Sequence, residues 1–302
     1  MPGKKVFTLT TEALIGLYFI QKYRFLTVDQ FSRSANLKRH TAAEQLRLFE
    51  RLGLLGFFGN TRLAGHGKTP KAYFLTRKGF ELLEQETEIP SDILGRYKEV
   101  KVEAKWAPQM YHRLRTVDLL ISCELAIGQR SHLAIVKTFL EYCMVKRNGQ
   151  LMRETTDFIA EEEISENRIV PDGAFILENL ETGRRGLFFL EVDMATERII
   201  TFLKDKRSTI HFKFSQYDRY LKSLRYKKTY ALYGDFSYFI LLFVTLQEER
   251  VENIRRELSV LPAELSDYYR LSTSEKAMGD FLGSIWKSRN ITDTTVYPLV
   301  RE

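Results

Sequence analysis

The stretch LRLFERLGLLGFF, residues 46–58, answered by KAYFLTRKGFELL, residues 71–83, decides how the first part of the chain folds. The first stretch is the end of a helix running from about Leu37 to Leu52. At 3.6 residues per turn it puts Ala42, Leu46 and Phe49 on one face. His40, Glu44, Arg47 and Arg51 fall on the other, with Thr41 on the flank and Lys38 and Arg39 in the first turn. Gly53 stops the helix and Leu54–Phe58 begins a strand, which Lys71–Thr76 answers across a turn-rich tip from Gly59 to Lys68. Working upstream, Thr27 is a good N-cap for a second helix with Phe31 facing in. Thr10 or Thr11 caps a first helix to about Tyr23, with Leu14, Leu17 and Tyr18 at helical spacing. The chain should therefore open with three short helices and a hairpin.

The charge is concentrated in the same region. Residues 1–80 hold 14 Lys and Arg against Glu12, Asp29, Glu44 and Glu50, a balance of +10. The other 222 residues hold 32 against 35, which places a compact basic module before a nearly neutral body. In order and spacing, helix, hairpin and the ending Tyr-x-Leu-Thr-x-x-Gly, residues 10–90 resemble the winged helix-turn-helix family. The resemblance implies a third helix in a DNA major groove and a wing on phosphate. Lys38, Arg39, His40, Thr41 and Arg47 are then the base-edge or phosphate candidates, and Arg62, Lys68 and Lys71 the wing contacts. Winged helices also dock proteins, so this module alone leaves a protein-binding role open.

Whole-chain composition narrows the rest. The 302 residues suggest two domains, and 44% hydrophobic with 28% charged residues excludes wholesale disorder. The longest apolar run, Tyr238–Leu246, is far shorter than the ~20 residues of a membrane helix and reads as a buried strand. No apolar signal segment opens the sequence. Cys123 and Cys143 both stand among apolar neighbours, so a cytoplasmic protein with reduced thiols and no membrane partner is expected. Walker loops, GxGxxG after a strand and HExxH are all absent, and His40, His66, His112, His132 and His211 are scattered.

The acidic stretch Glu81–Glu88 and Pro90 close the basic module, giving domains at 1–90 and 107–302 with a charged linker at 91–106. The second domain starts with a helix from Ala107 to about Gln129 whose inward stripe is Leu114, Ile121 and Leu125. Asp118 falls on that stripe, where an unpaired acid is costly. Strands are expected at Leu133–Val145, Thr156–Ile164, Ile169–Leu177, Gly186–Asp193, Lys228–Leu232 and Ser237–Thr245, with hairpin turns at Asn148-Gly149 and Glu181-Thr182-Gly183. A helical stretch at about Thr196–Ser223 makes the domain α/β. Beyond Glu248 an amphipathic helix carries Val251, Ile254 and Leu258, followed by a strand near Tyr268–Leu271.

The chemistry candidates sit on two of these strands. Period two puts Glu191 and Asp193 on one side with Val192 opposite. If strands 169–177 and 186–193 pair as a hairpin, Asp172 joins them. Such oxygen-only clusters suit Mg²⁺ or Mn²⁺, with Asp118 as a further ligand. The alternative is a structural ion-pair network, with Arg168, Arg184 or Arg198 neutralising the acids.

The segments RIVPDGAFIL (168–177), GLFFLEVDMATERI (186–199), FSQYDRYL (214–221) and YFILLFVTLQEER (238–250) resemble the PD-(D/E)xK nuclease superfamily, and more narrowly the replication-relaxation family of plasmid and mobile-element proteins. That resemblance implies a restriction-endonuclease-like mixed-sheet domain behind the winged helix, and a DNA-binding protein acting in replication, DNA relaxation or transfer. Double-stranded DNA is the implied partner, with a second copy of the chain and a relaxase or replication protein as further candidates. It also implies catalytic roles for Asp172, Glu191 and Asp193. One position departs from the pattern: lysine is expected two residues after Glu191, and Asp193 stands there. Lys206 and Lys213, which project onto the inward stripe of the following helix, are the candidate substitutes, Lys206 as a catalytic residue. Gln216 and Tyr220 have the Gln-x-x-x-Tyr spacing of RecB-type nucleases. Three readings remain open at this point: a DNA-binding protein with an inactive nuclease-like body, a metal-dependent DNA endonuclease, and a winged-helix transcriptional regulator.

Overall fold

A computed structural model describes residues 9–59, 62–63, 67–100, 108–147, 149–195, 198–199 and 209–300. The chain divides into two compact units, Met1–Val117 and Asp118–Glu302.

The first unit opens with α1 (Thr11–Tyr23), α2 (Val28–Ser34) and α3 (Arg39–Arg51). Each of the first two starts where a threonine can cap it. Thr10 accepts from the Ala13 N–H, and Thr27 forms a reciprocal capping box with Gln30. Each such cap contributes about 1 kcal/mol. The apolar face read for α3 is the buried one: Ala42, Leu46 and Phe49 are fully enclosed with Leu17, Ile20 and Phe31. In α1 the inward face is Ala13, Leu17 and Ile20 instead of Leu14 and Tyr18, a rotation of the stripe by about one residue. Strands β1 (Leu55–Gly59) and β4 (Lys71–Leu75) pair antiparallel, Leu55 facing Leu75. The short ribbon β2 (Arg62–Leu63) and β3 (Gly67–Lys68) lies between them in sequence. Helix α4 (Arg77–Glu86) follows, capped by Thr76, whose hydroxyl donates to the carbonyls of Gly53 and Leu54. Helix–helix–helix–hairpin–helix is a winged helix.

The expected linker is partly structured. It supplies α5 (Ser91–Leu94) and belongs to the first unit, its carbonyls accepting from residues at the end of α1: Gln21 Nε2 bonds Leu94 O at 3.1 Å, and an Arg24 guanidinium N–H bonds Lys98 O at 2.9 Å. Helix α6 (Pro108–Gly128) carries the division between the units. Ile121 is buried as expected, but Leu114 is buried against Phe58, Ala72 and Phe74 of the first unit instead of the second, and Leu125 is 40% exposed.

The second unit is built on a seven-stranded mixed sheet. Its strands are β5 (Leu133–Leu140), β10 (Gly173–Asn179), β11 (Arg185–Val192), β12 (Phe239–Thr245), β13 (Tyr269–Thr273), β14 (Trp286–Ser288) and β15 (Val296–Tyr297), in the order β15-β14-β13-β12-β11-β10-β5. The β11–β12 and β12–β13 pairs are parallel and the others antiparallel. Small ribbons β6 (Met144–Arg147) with β7 (Gln150–Arg153), and β8 (Asp157–Phe158) with β9 (Arg168–Ile169), complete the strands. The strands expected over Leu133–Val145 and Ile169–Leu177 are thus each broken in two. Thr156–Ile164 is extended only at Asp157–Phe158, and Lys228–Leu232 lies in helix α8 (Arg225–Thr229) and the helical turn after it. The acids Glu161–Glu163 are exposed and give no face to bury, which is why no strand forms there.

Alternation along the strands buries both faces. Phe189, Phe239, Leu241 and Phe243 pack with Phe214, Tyr217 and Tyr220 of α7 (Ile210–Ser223) and with Val251 and Ile254 of α9 (Glu248–Glu257). On the other face Phe175 stacks on Phe188 at 4.9 Å and meets Phe281, while Leu120 of α6 covers Gly173. Within the nine-residue run at 238–246, Phe239–Thr245 form the central strand β12, buried on both faces, while Tyr238 and Leu246 at its ends are exposed. After α10 (Ser274–Gly279) and β14 the C-terminal part adds a buried ion pair with α7. Arg289, with no side-chain exposure, donates to both carboxylate oxygens of Asp218 at 2.9 and 3.1 Å and lies 4.2 Å from the Tyr269 ring centroid.

Candidate functional sites

The first candidate site is the outer face of α3. Lys38 is its N-cap residue but makes no side-chain cap, and Lys38, Arg39, His40, Thr41 and Arg47 are all exposed. For His40 and Arg47 exposure follows from the same periodicity that buries Ala42, Leu46 and Phe49, whereas Lys38 and Arg39 are exposed because they stand at the helix start. Arg39 is engaged by Asp29 of α2. Lys68 is exposed at the end of β3. Lys71, half-buried, stands over the Phe57 ring at 3.7 Å from its centroid and 3.4 Å from Glu50 Oε2. The Arg62 side chain lies outside the described residues. The burial of Tyr73 and the nearby Glu50 carboxylate raise its phenol pKa, while Arg47 pulls it down.

The second candidate site is at the ends of β10 and β11. These strands do form the antiparallel hairpin that the acidic cluster requires, with Gly173 opposite Leu190, so Asp172 and Glu191 are cross-strand neighbours on the face that α7 covers. Asp172 is half-buried and its Oδ2 accepts the Val192 N–H at 2.7 Å. Glu191 is 3% exposed. Its two oxygens accept from different residues of α7, Oε2 from Lys213 Nζ at 2.9 Å and Oε1 from the Tyr217 hydroxyl at 2.5 Å. Lys213 and Tyr217 are four apart, hence one turn apart on one helix face. Burial pushes the Glu191 carboxyl up to about 7. Lys213 opposes that rise, Asp172 reinforces it, and the two hydrogen bonds oppose it. Tyr217 is itself held well above the ordinary phenol range by burial and by Glu191.

Asp193 goes elsewhere. Its backbone N–H continues the pairing with β12 through Val244 O at 2.8 Å, and its buried carboxylate is forked by the Arg250 guanidinium, with Nε on Oδ2 and a second nitrogen on Oδ1 at 3.1 Å. The Thr245 hydroxyl and Ala195 N–H donate to it as well, both at 2.9 Å. Asp118 is half-buried on α6, whose Leu120 covers the opposite sheet face. Among the described residues no three His, Cys, Asp or Glu side chains gather into a metal-holding group. The four-carboxylate cluster expected from the sequence is therefore resolved into a pair, Asp172 with Glu191, and a separate ion pair, Asp193 with Arg250. The acids are neutralised by Lys213 and Arg250; Arg168, Arg184 and Arg198 are exposed and take no part in these two pairings.

Of the two substitute lysines, Lys206 lies outside the described residues, and Lys213 is the one beside the acids. Gln216 bonds the Glu166 carbonyl at 3.0 Å and Tyr220 bonds Asp157, so that spacing braces β8 and the turn after it. The sequence does not signal the roles of Tyr217, Thr245 and Arg250. Tyr217 reads as ordinary core on its stripe, and nothing in the sequence near Arg250 points 57 residues back to Asp193.

The sequence pattern of the family described as Replication-relaxation matches residues 17–235, well over half of the chain. No curated protein matches it. Among solved structures, a MarR family transcriptional regulator from Silicibacter pomeroyi DSS is similar at 17% identity, over 40% of this chain and 72% of that one, with a TM-score of 0.23.

Proposed function

The chain belongs to the replication-relaxation family, and from that premise we propose that it is a double-stranded-DNA-binding protein of a plasmid or other mobile element, acting in replication, DNA relaxation or transfer. The observation that carries this reading is the exposed cationic surface of α3, with Arg47 and His40 on the side opposite the core and Lys38 and Arg39 exposed at its N-terminal end. A helix so presented fits a major groove, and its cations fit the flanking phosphates. Among the described residues no helix is long and apolar enough to cross a membrane. The test is fluorescence anisotropy on a duplex over a range of salt. Arg47→Ala and Lys68→Ala should each weaken binding and lower the slope of log K against log salt by about one. Unchanged affinity in both variants would take this face off the DNA.

A second reading, metal-dependent cleavage of DNA, is favoured by one specific arrangement, the Lys213–Glu191 ion pair beside Asp172. Mg²⁺ and Mn²⁺ are commonly held by one or two carboxylates with waters and substrate phosphates, and Asp172 and Glu191 are a donor set of that kind. A bound ion would supply an activated water and charge for the departing oxygen. Lys213 would orient Glu191 and face the phosphate with its ammonium, and Tyr217 would hold the other Glu191 oxygen. Asp193, committed to Arg250, has a structural role in this reading. Nicking of supercoiled plasmid with Mn²⁺, lost in Glu191→Gln and Lys213→Ala, is the expected result. DNA shifted on a gel but never cut would leave a binding protein.

A further inference from the structure

Three of the candidate DNA contacts meet in one place. Arg39, Arg47 and Lys71 line a concavity of the first unit together with Thr27, Asp29 and Tyr73. Two of the three cations are held by acids of the same unit. Arg39 Nε lies 2.5 Å from Asp29 Oδ1, with the side chains 73% and 66% exposed, and Lys71 Nζ lies 3.4 Å from Glu50 Oε2. Arg47 has no carboxylate partner among the described residues. It stands two turns along α3 from Arg39, close enough to the Tyr73 ring to act on its hydroxyl.

We infer that this concavity seats one phosphate of the DNA backbone, and that Asp29 and Glu50 occupy two of its three cations until the phosphate displaces them. The inference rests on the DNA reading above. Two guanidinium groups and an ammonium around one hollow are the donor set that a phosphate takes best, since Arg forks match its oxygens and Lys adds a point charge. Holding a cation ready and competing for it act in opposite directions on affinity. The Asp29–Arg39 pair is exposed, so it orders its side chains little. A carboxylate left within a Debye length of a bound phosphate, about 10 Å at 0.1 M salt, repels it. Competition therefore wins, and the acids lower affinity for DNA.

The experiment is anisotropy of a labelled duplex of arbitrary sequence with the wild-type chain, Asp29→Asn, Glu50→Gln and Arg47→Ala. Asp29→Asn and Glu50→Gln should each tighten binding by about fivefold at ~0.1 M salt, the scale of one weak ion pair. Arg47→Ala should weaken it and lower the salt slope by about one. If the wild type binds with a salt slope and Arg47→Ala weakens it, but neither acid variant tightens, the phosphate seat is overturned and the DNA reading stands. If the wild type shows no salt-dependent binding, both fall.

Discussion

Replacing Arg250 by alanine tests whether Asp193 is structural. The Asp193 side chain is 1% exposed and that of Arg250 18%, and the guanidinium reaches both carboxylate oxygens. In the variant the carboxylate keeps the Thr245 hydroxyl and the Ala195 N–H but loses both charge-assisted donors. Removing one partner of a buried pair costs about 3–5 kcal/mol because the other charge stays buried. Water reaches the partly exposed arginine side, which favours the low end, about 3 kcal/mol. With a urea slope of about 2–3 kcal/mol/M, the unfolding midpoint should fall by about 1–1.5 M. Trp286 reports the second unit: it is fully buried and its indole donates to Phe281 O at 2.9 Å. In a Trp106→Phe background it is the last of the two tryptophans, so its fluorescence follows that unit. A midpoint within about 0.2 M of the parent, well below the 1 M worked from the buried-pair cost, would refute the argument. Recovery of the lost stability on adding Mn²⁺ would assign Asp193 to a metal instead.

Two further expectations concern single side chains. The Glu191 carboxyl is raised from 4.5 to about 7 in the folded chain, so between those values the folded state holds a proton that the unfolded state has lost. Its contribution to stability is fully present below pH 4.5 and is lost as pH rises through about 7; by the linkage relation it amounts to about 3 kcal/mol. Urea midpoints of the Trp286 reporter measured across that window should decline with pH in the parent and less so in Glu191→Gln; parallel curves would discount the shift. Gly79→Ala is expected to cost about 2–3 kcal/mol. Its new Cβ would stand 2.2 Å from the Leu54 carbonyl oxygen and 2.9 Å from Leu75 Cδ2. Far-UV circular dichroism of the full chain in urea measures it, and an unchanged curve would show that the hairpin can yield there.

The winged helix was readable because its signals are local. Threonine caps, a clean helical stripe at Ala42, Leu46 and Phe49, and glycines at the turns all act within a few residues, and the helices and hairpin came out close to where the sequence puts them. In the body, β11, β12 and the stripe of α9 were legible for the same reason: alternation and period mark a buried face whichever neighbour covers it. Long-range pairing was not. The convergence of Asp172 with Glu191 was legible because strand parity fixes it once the hairpin forms. The split of Asp193 from them was not, since it depends on Arg250, which reaches β11 only after β12 and α9 have been laid down. Lys213 lay between these cases. A lysine on an inward stripe signals a buried acid nearby without saying which one.

The family pattern ends at residue 235, while the sheet continues for four more strands, and the first of them, β12, lies in its middle. Asp193 and Asp218 fall before that point, and the arginines that hold them, Arg250 and Arg289, fall after it. The recognisable part of the sequence therefore stops short of a complete sheet. A chain cut at residue 235 would leave β11 with a bare row of backbone donors and acceptors along an apolar strand, an edge open to strands of other molecules. Recombinant fragments trimmed to the family boundary would then be expected to clump through that edge, whatever the state of the winged helix ahead of it.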